Sequence, residues 1–183
     1  MKKIINTPEE YVDKMLQGIY ASLPDKVKCA ADDLRCYYTA HKKPGKATII
    51  TGGGTGYLSL FLGYVGDGLI DDCGIGGVFQ SPLAEQIYNI TKEVEFGTVI
   101  PYLYGNYTSD IMNFDMVSEM LEMDDIECKS LVGADDVLSN KNPEVRLRVA
   151  GIYFMYKAAG AKTDEGGILE EVYEATKKAG ESV

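Results

Sequence analysis

The sequence of 183 residues has the length of one ordinary domain, and its 45% hydrophobic content is enough for a buried core. Acidic residues outnumber basic ones by 28 to 18, which excludes nucleic acids and anionic membranes as expected partners, since both attract clustered Lys and Arg. The single histidine, His41, excludes any site built from two histidines within this chain, including the common zinc motifs.

The first half of the sequence predicts a helix, then a strand that leads into glycines. Thr7, Pro8 and Glu10 form a helix-start pattern, followed by an apolar stripe at helical spacing: Val12, Met15, Leu16, Ile19 and Leu23. Residues 47–51 are a β-branched run that stops at the glycine loop 52–56. A second strand is predicted within 73–79, and a helix begins at Ser81-Pro82 with these residues inward: Leu83, Ile87, Ile90 and Val94.

The second half repeats this alternation. Residues 98–103 predict a third strand, followed by the loop 105–110 and a helix with four residues inward: Met112, Met116, Met120 and Leu121. A fourth strand is predicted over 126–132, a helix over 145–162, and a last helix over 168–178 with Ile168, Leu169, Val172 and Ala175 inward. We therefore predict a single α/β domain over 1–183, a three-layer Rossmann-like fold whose mostly parallel sheet has helices on both faces.

Two loops are candidates for a ligand site, because ligands of open parallel sheets bind beyond the carboxyl ends of the strands. These loops are 52–56 and 105–110. Glycines let backbone amides approach phosphate, carbonyl or hydroxyl oxygens, but they also serve tight turns, and the pattern alone leaves both interpretations open. The dinucleotide motif fails at Tyr57, and Gly45-Lys46 lacks a phosphate-loop context, so we expect no nucleotide bound by this chain itself.

Asp110 closes the second loop and is the candidate catalytic carboxylate, although the pattern by itself favours a helix cap at this position. The four cysteines have no zinc or redox spacing, so we predict reduced thiols and no metal site: Cys29, Cys36, Cys73 and Cys128. The start of the chain lacks the apolar region of a signal peptide, and no apolar run reaches the ~20 residues that span a bilayer. These observations predict a cytoplasmic protein.

Several motifs together resemble a known family. They are MKKIIN at 1–6, TGGGTG at 51–56, GYVGDG at 63–68, VFQSP at 78–82, NYTSD at 106–110, MNF at 112–114 and VAG at 149–151. In order and spacing they are similar to the substrate-binding subunit of dihydroxyacetone kinases. The resemblance implies a subunit that holds a small ketose such as dihydroxyacetone while a helical partner subunit carries the nucleotide, as ADP or ATP with Mg. In the phosphotransferase-linked form, a phosphocarrier recharges that nucleotide.

The resemblance implies substrate contacts from three residues of the first loop, Gly54, Thr55 and Gly56. It also implies that Asp110 is the base for the hydroxyl that is phosphorylated, a role that suits a carboxylate.

Two substrate-binding positions depart from the family pattern. Tyr57 stands where the family has a histidine, and Gly105 stands where it has a lysine. Both changes remove a potentially cationic group that could polarise the substrate. They favour an altered substrate or a silent site, whereas Asp110 favours retained chemistry.

The resemblance covers only the first of the two α/β domains of full-size family members. The second domain carries a histidine that binds the substrate carbonyl covalently, and His41 is far from any equivalent position. We expect either a natural half, completed by a second chain in a homo- or hetero-oligomer, or a shortened form of a longer chain. The predicted function is the sugar-binding half of a dihydroxyacetone kinase subunit, inactive alone; the alternative is a catalytically silent ketose sensor or regulator.

Overall fold

The computed structural model describes residues 6–57, 61–94 and 100–183, without the side chains of Tyr57, Val94 and Ile100. Five helices lie in these residues: α1 (Tyr11–Ser22), α2 (Ala84–Val94), α3 (Thr108–Glu122), α4 (Ile152–Asp164) and α5 (Leu169–Glu181). Six strands accompany them: β1 (Val27–Cys29), β2 (Cys36–Thr39), β3 (Ile50–Gly53), β4 (Asp72–Ile75), β5 (Ile100–Gly105) and β6 (Cys128–Gly133). Short 3₁₀ turns lie at Thr55–Tyr57, Leu62–Tyr64 and Pro143–Val145.

The strands form one sheet in the order β1-β2-β4-β3-β5-β6. The last four strands in this order are parallel, so their carboxyl ends meet at the same edge of the sheet. Strands β1 and β2 add an antiparallel hairpin beside β4, which the sequence did not predict. The predicted α/β fold with a mostly parallel sheet is confirmed.

Apolar side chains of the sheet point alternately to two helical layers, as the pleat requires. On one face, Ile50 and Tyr102 pack with the inner residues of α2 and α3: Ile87, Ile90, Phe114, Val117 and Leu121. On the other face, Ile49 and Leu103 pack with α4 and α5 through Ile152, Met155, Tyr156 and Val172. Helix α1 covers Tyr37, Cys73 and Ile75 through Val12 and Leu16. Helices therefore cover both faces.

Several predicted element boundaries and inward residues are wrong. Helix α1 begins at Tyr11, because the Thr7 hydroxyl donates to the Glu10 side chain at 3.0 Å instead of capping the backbone. Met112 and Met116 of α3 are exposed by 62% and 52%, because Phe114, Val117 and Leu121 occupy the face toward the sheet. Leu83 and Ile168, both predicted inward, are also exposed.

The predicted helix 145–162 begins only at Ile152, and the residues before it form an irregular segment. The Asp135 carboxylate accepts hydrogen bonds from the backbone amides of Val149 and Gly151 at 2.9 and 2.7 Å. The Asn106 side chain donates to the carbonyls of Glu144 and Arg146 at 3.0 and 2.7 Å. These side chains replace the hydrogen bonds that a helix would make, and they hold the segment against the end of β5.

Candidate functional site

A pocket of about 80 Å³ lies at the edge where the carboxyl ends of the parallel strands meet. Its lining comes from the glycine loop, the residue before the second 3₁₀ turn, the segment after β4, the start of α3 and the irregular segment before α4: Gly53, Gly54, Phe61, Phe79, Gln80, Ser81, Tyr107, Ser109, Asp110 and Arg148. Sites for drug-sized ligands usually measure about 300–1,000 Å³, so this pocket suits a molecule of only a few heavy atoms.

The glycine loop is packed tightly against the segment that follows β4. The amide of Gly76 donates to the Gly53 carbonyl at 2.9 Å, and the amide of Thr55 donates to the Gly77 carbonyl at 3.0 Å. A Cβ atom at Gly54 would lie 3.0–3.1 Å from backbone atoms of Gln80. Glycine at this position therefore serves close packing, and it also leaves the pocket wall free of a side chain.

Asp110 lies in the first turn of α3, where the positive end of the helix favours a carboxylate. It is only 5% exposed and lines the pocket. The hydroxyl of Ser81 hydrogen-bonds its side chain, and Ser81 Oγ lies 2.7 Å from Ser109 Oγ. The second carboxylate oxygen, Oδ1, is buried without a hydrogen-bond partner among the residues that the structure describes. Tyr107 occupies the N-cap position, so the helix-cap interpretation of Asp110 is wrong.

The environment of Asp110 acts on its protonation in two directions. Burial raises its pKa above the usual aspartate range, while the Ser81 hydrogen bond and the Arg148 charge oppose the rise. An aspartate with a raised pKa is a stronger base once it is ionised, and an unsatisfied buried oxygen needs a donor. A ligand hydroxyl in the pocket would be such a donor.

Arg148 is a pocket residue that the sequence did not reveal as a candidate. It is 6% exposed, and its guanidinium carbon lies 4.9 Å from the centre of the Phe61 ring and 5.8 Å from that of Tyr107. Its Nη1 donates to the Val149 carbonyl at 3.3 Å. No motif marks an arginine in a segment of this kind, because only the folded chain brings it to the end of β5.

The remaining predicted site residues lie near the pocket, and Thr55, Gly56 and Gly105 are not among its described lining residues. Thr55 is buried in the 3₁₀ turn after β3, and its hydroxyl has no hydrogen-bond partner in the described part of the chain. Gly56 lies beneath the ring of Phe79, and for Tyr57 only the backbone is described. Gly105 ends β5, and the Arg148 side chain lies over its Cα atom. Their roles in ligand binding stay predictions.

Within residues 6–57, 61–94 and 100–183, no three His, Cys, Asp or Glu side chains are placed to hold a metal ion. All four cysteines are free, and burial raises the pKa of the Cys36 thiol to about 12. His41 is exposed in the loop before β3, at the opposite edge of the sheet from the pocket. No helix in the described ranges has the length and apolar character needed to cross a bilayer.

Residues 17–183 match the model of the Dak1 domain. The chain belongs to the Dak1 domain family. It is 38% identical to the dihydroxyacetone-binding subunit of PTS-dependent dihydroxyacetone kinase 2 of Listeria innocua, over 98% of this chain and 54% of that protein. It is 28% identical to an L-erythrulose 1-kinase of Mycolicibacterium smegmatis, over 100% of this chain and 32% of that protein. This Dak1 domain thus spans about half or less of the length of these relatives.

Solved structures support the same fold for this Dak1 domain. The dihydroxyacetone kinase from C. freundii in complex with AMP-PNP and Mg²⁺ superposes with a TM-score of 0.89 at 21% identity, covering 98% of this chain and 34% of that one. A structure that concerns regulation of the dha operon of Lactococcus lactis gives a TM-score of 0.86 at 24% identity, covering 96% of this chain and 55% of that one. At these identities the likeness concerns the fold alone.

Proposed function

We propose that this Dak1 domain is the sugar-binding half of a dihydroxyacetone kinase subunit and holds a small ketose for phosphorylation. The observation that carries the proposal is the buried, unsatisfied Oδ1 of Asp110 in a pocket sized for a few heavy atoms. The names of the relatives support the substrate class, because they are kinases of dihydroxyacetone or erythrulose, three- and four-carbon hydroxyketones.

In the proposed reaction, a ketose hydroxyl lies against Asp110 and donates its proton to the carboxylate as its oxygen attacks phosphorus. The new O–P bond forms while the bond to the nucleotide's leaving oxygen breaks, and that oxygen keeps the electron pair. Ser81 holds the carboxylate in place, which leaves the second oxygen directed to the substrate. Phosphoryl transfer depends mainly on such positioning and on electrostatics, so a buried base fixed at a helix start suits the chemistry.

We propose that a separate partner subunit carries the nucleotide, as ADP or ATP with Mg, and that ATP is the phosphoryl donor to the ketose. The pocket of about 80 Å³ is too small for a nucleotide, so the residues that line it do not fit the role of nucleotide holder. The donor would reach the pocket through its open side, where the Phe79 ring is 68% exposed.

We also propose that a second domain, on another chain or on the same one, completes the ketose site with a histidine. This chain matches only 54% of the length of the Listeria innocua subunit, which supports this proposal. So do exposed apolar side chains in the segment beside Arg148 and at the start of α4, namely Val145, Leu147, Val149 and Phe154. Exposed apolar groups that cluster in this way suit burial against another protein surface.

The first test measures ketose binding by the purified chain. Binding is detected by saturation-transfer NMR with millimolar dihydroxyacetone, and glycerol serves as the comparison ligand. We expect dihydroxyacetone to bind and Asp110→Ala to weaken it by at least tenfold, since the variant removes the acceptor of a charge-assisted hydrogen bond. Asp115→Ala, on an exposed position of the same helix, is the matched control. Equal binding by the Asp110 variant and the wild type would contradict the site.

The second test is turnover in a reconstituted kinase complex. Asp110→Asn preserves the size of the side chain but removes the base, so turnover should fall by roughly 10²–10⁴-fold. Unchanged turnover would refute the role of Asp110. The alternative of a silent ketose sensor is not favoured, because the curated relatives named above are kinases or kinase subunits; ketose binding without phosphoryl transfer in any reconstituted complex would reinstate it.

A further inference from the structure

At the end of β5, the Arg148 side chain occupies the space that a side chain on residue 105 would need. A Cβ atom built on Gly105 would lie 2.6 Å from Arg148 Nε, 2.8 Å from its Cδ and 3.2 Å from its Cβ. Real Cβ atoms essentially never show distances below 3.0 Å, so the Arg148 side chain takes this position only because residue 105 has no side chain. The family motif has a lysine at position 105. Its replacement by glycine and the placement of Arg148 here therefore depend on each other.

The Arg148 side chain is fixed as well as buried. The two aromatic rings beside it, Phe61 and Tyr107, flank the guanidinium, and the Tyr107 hydroxyl donates to the Arg148 carbonyl at 3.3 Å. Its backbone is held on both sides by the hydrogen bonds of Asn106 and Asp135. A buried cation is costly unless something compensates it, and the charge of Arg148 acts on the Asp110 carboxylate across the pocket.

We propose that Arg148 supplies the pocket's cationic donor in place of the family's lysine, and that its guanidinium binds oxygens of the ketose opposite Asp110. This assignment rests on the proposed ketose-binding function. A guanidinium presents several N–H donors in a planar fork, so it can bind two neighbouring oxygens of a hydroxyketone together, whereas a lysine ammonium acts as a point charge. The cation thus comes from the segment before α4 instead of from the end of β5.

The test is a cycle of four proteins: wild type, Arg148→Gly, Gly105→Lys and the double variant. Dihydroxyacetone affinity is measured by NMR titration, and folding by thermal unfolding. Arg148→Gly should weaken binding by about 10- to 100-fold, the worth of a hydrogen bond from a charged donor. Gly105→Lys alone should lower the melting temperature, because its Cβ meets Arg148. The double variant should regain the melting temperature and most of the affinity, because the glycine at 148 makes room for a lysine at 105.

Arg148→Gln is the second variant, since it keeps most of the side-chain volume and removes the charge. Arg146→Gln, in the same segment but outside the pocket lining, is the matched control and should bind as the wild type does. If the wild type binds dihydroxyacetone and Arg148→Gln binds it equally well, the assignment of Arg148 is overturned while the proposed function stands. If the wild type binds no ketose, the proposed function fails and the ligand contact of Arg148 fails with it. If the double variant binds dihydroxyacetone no more tightly than Arg148→Gly does, the proposal that Arg148 replaces the family's lysine is overturned as well.

Discussion

Asp72 is a buried acid outside the proposed chemistry, and it should make the stability of the protein depend on pH. It begins β4 and is fully buried, and neither of its carboxylate oxygens has a hydrogen-bond partner among the described residues. Burial raises its pKa well above the usual range, and the neighbouring negative charge of Asp71 adds to the rise. The positive charges of Lys42 and Lys46 oppose it without cancelling it.

The sign follows from the protons that each state holds. An unfolded aspartate titrates near pH 4, so above that pH the unfolded chain has released a proton that folded Asp72 still binds. The titration of Asp72 therefore does not lower the free energy of unfolding below about pH 4. Above that pH, the free energy of unfolding falls as pH rises toward the pKa of the folded state. One such group gives a limiting slope of about 1.4 kcal/mol per pH unit.

Asp72→Asn mimics the protonated acid and removes this titration. The variant and the wild type should have similar free energies of unfolding near pH 4, and the variant should gain up to about 1.4 kcal/mol over the wild type for each further pH unit, until the folded pKa is passed. Urea unfolding followed by circular dichroism between pH 4 and 8 measures this difference. Asp110 also has a raised pKa, but it is present in both proteins and its contribution cancels.

Asp115→Asn, at an exposed position of α3, is the control and should show no growing advantage with pH. The reasoning would be refuted by a difference between Asp72→Asn and wild type that is constant across the pH range. A loss of stability at every pH would refute it too, because it would mean that the charged carboxylate has a stabilising partner.

Two further predictions concern packing. Phe114→Ala should lower the free energy of unfolding by about 3–5 kcal/mol, because the ring is fully buried and its centre lies 4.1 Å from that of the Tyr104 ring, on which it stacks. Met116→Gln, on the exposed side of the same helix, should change the free energy of unfolding by less than about 0.5 kcal/mol. Chemical denaturation of both variants checks this, and equal losses would contradict the observed inner face. Gly53→Ala should cost about 1–3 kcal/mol because its Cβ would meet the Phe61 ring; a melting temperature equal to that of wild type would count against the close packing of the loop.

The parts of the fold predicted correctly are those that local patterns determine. The strand before the glycines, the helix after Ser81-Pro82 and the strand followed by the helix that carries Asp110 all follow from hydrophobic runs bounded by turn residues. Because these units are parallel, their loops had to meet at one edge, which placed Gly54 and Asp110 at a common pocket. The first two loop glycines nevertheless belong to β3, since Gly52 and Gly53 continue the parallel pairing with β4.

The errors come from elements whose structure depends on distant residues. The hairpin of β1 and β2 has strands of only three and four residues, too short for periodicity, and it forms because β2 pairs with β4. In α3 the spacing alone allowed a methionine face or a face containing Phe114, and the sheet selected the larger aromatic side chain. The helix predicted from Val145 fails because Asn106 and Asp135 compete for its backbone groups.

The segment before α4 changes how the departure at Gly105 is interpreted. As a motif, a glycine in place of a lysine signals a lost cation; in the fold, an arginine 43 residues later fills the space that the glycine leaves. If the two positions compensate, a Dak1 domain with glycine at the position of Gly105 should carry a basic residue at that of Arg148, and one with lysine there should carry a small residue. Aligning family sequences checks this pairing directly. Frequent glycine at the first position without a basic residue at the second would show that the pocket does not require the cation.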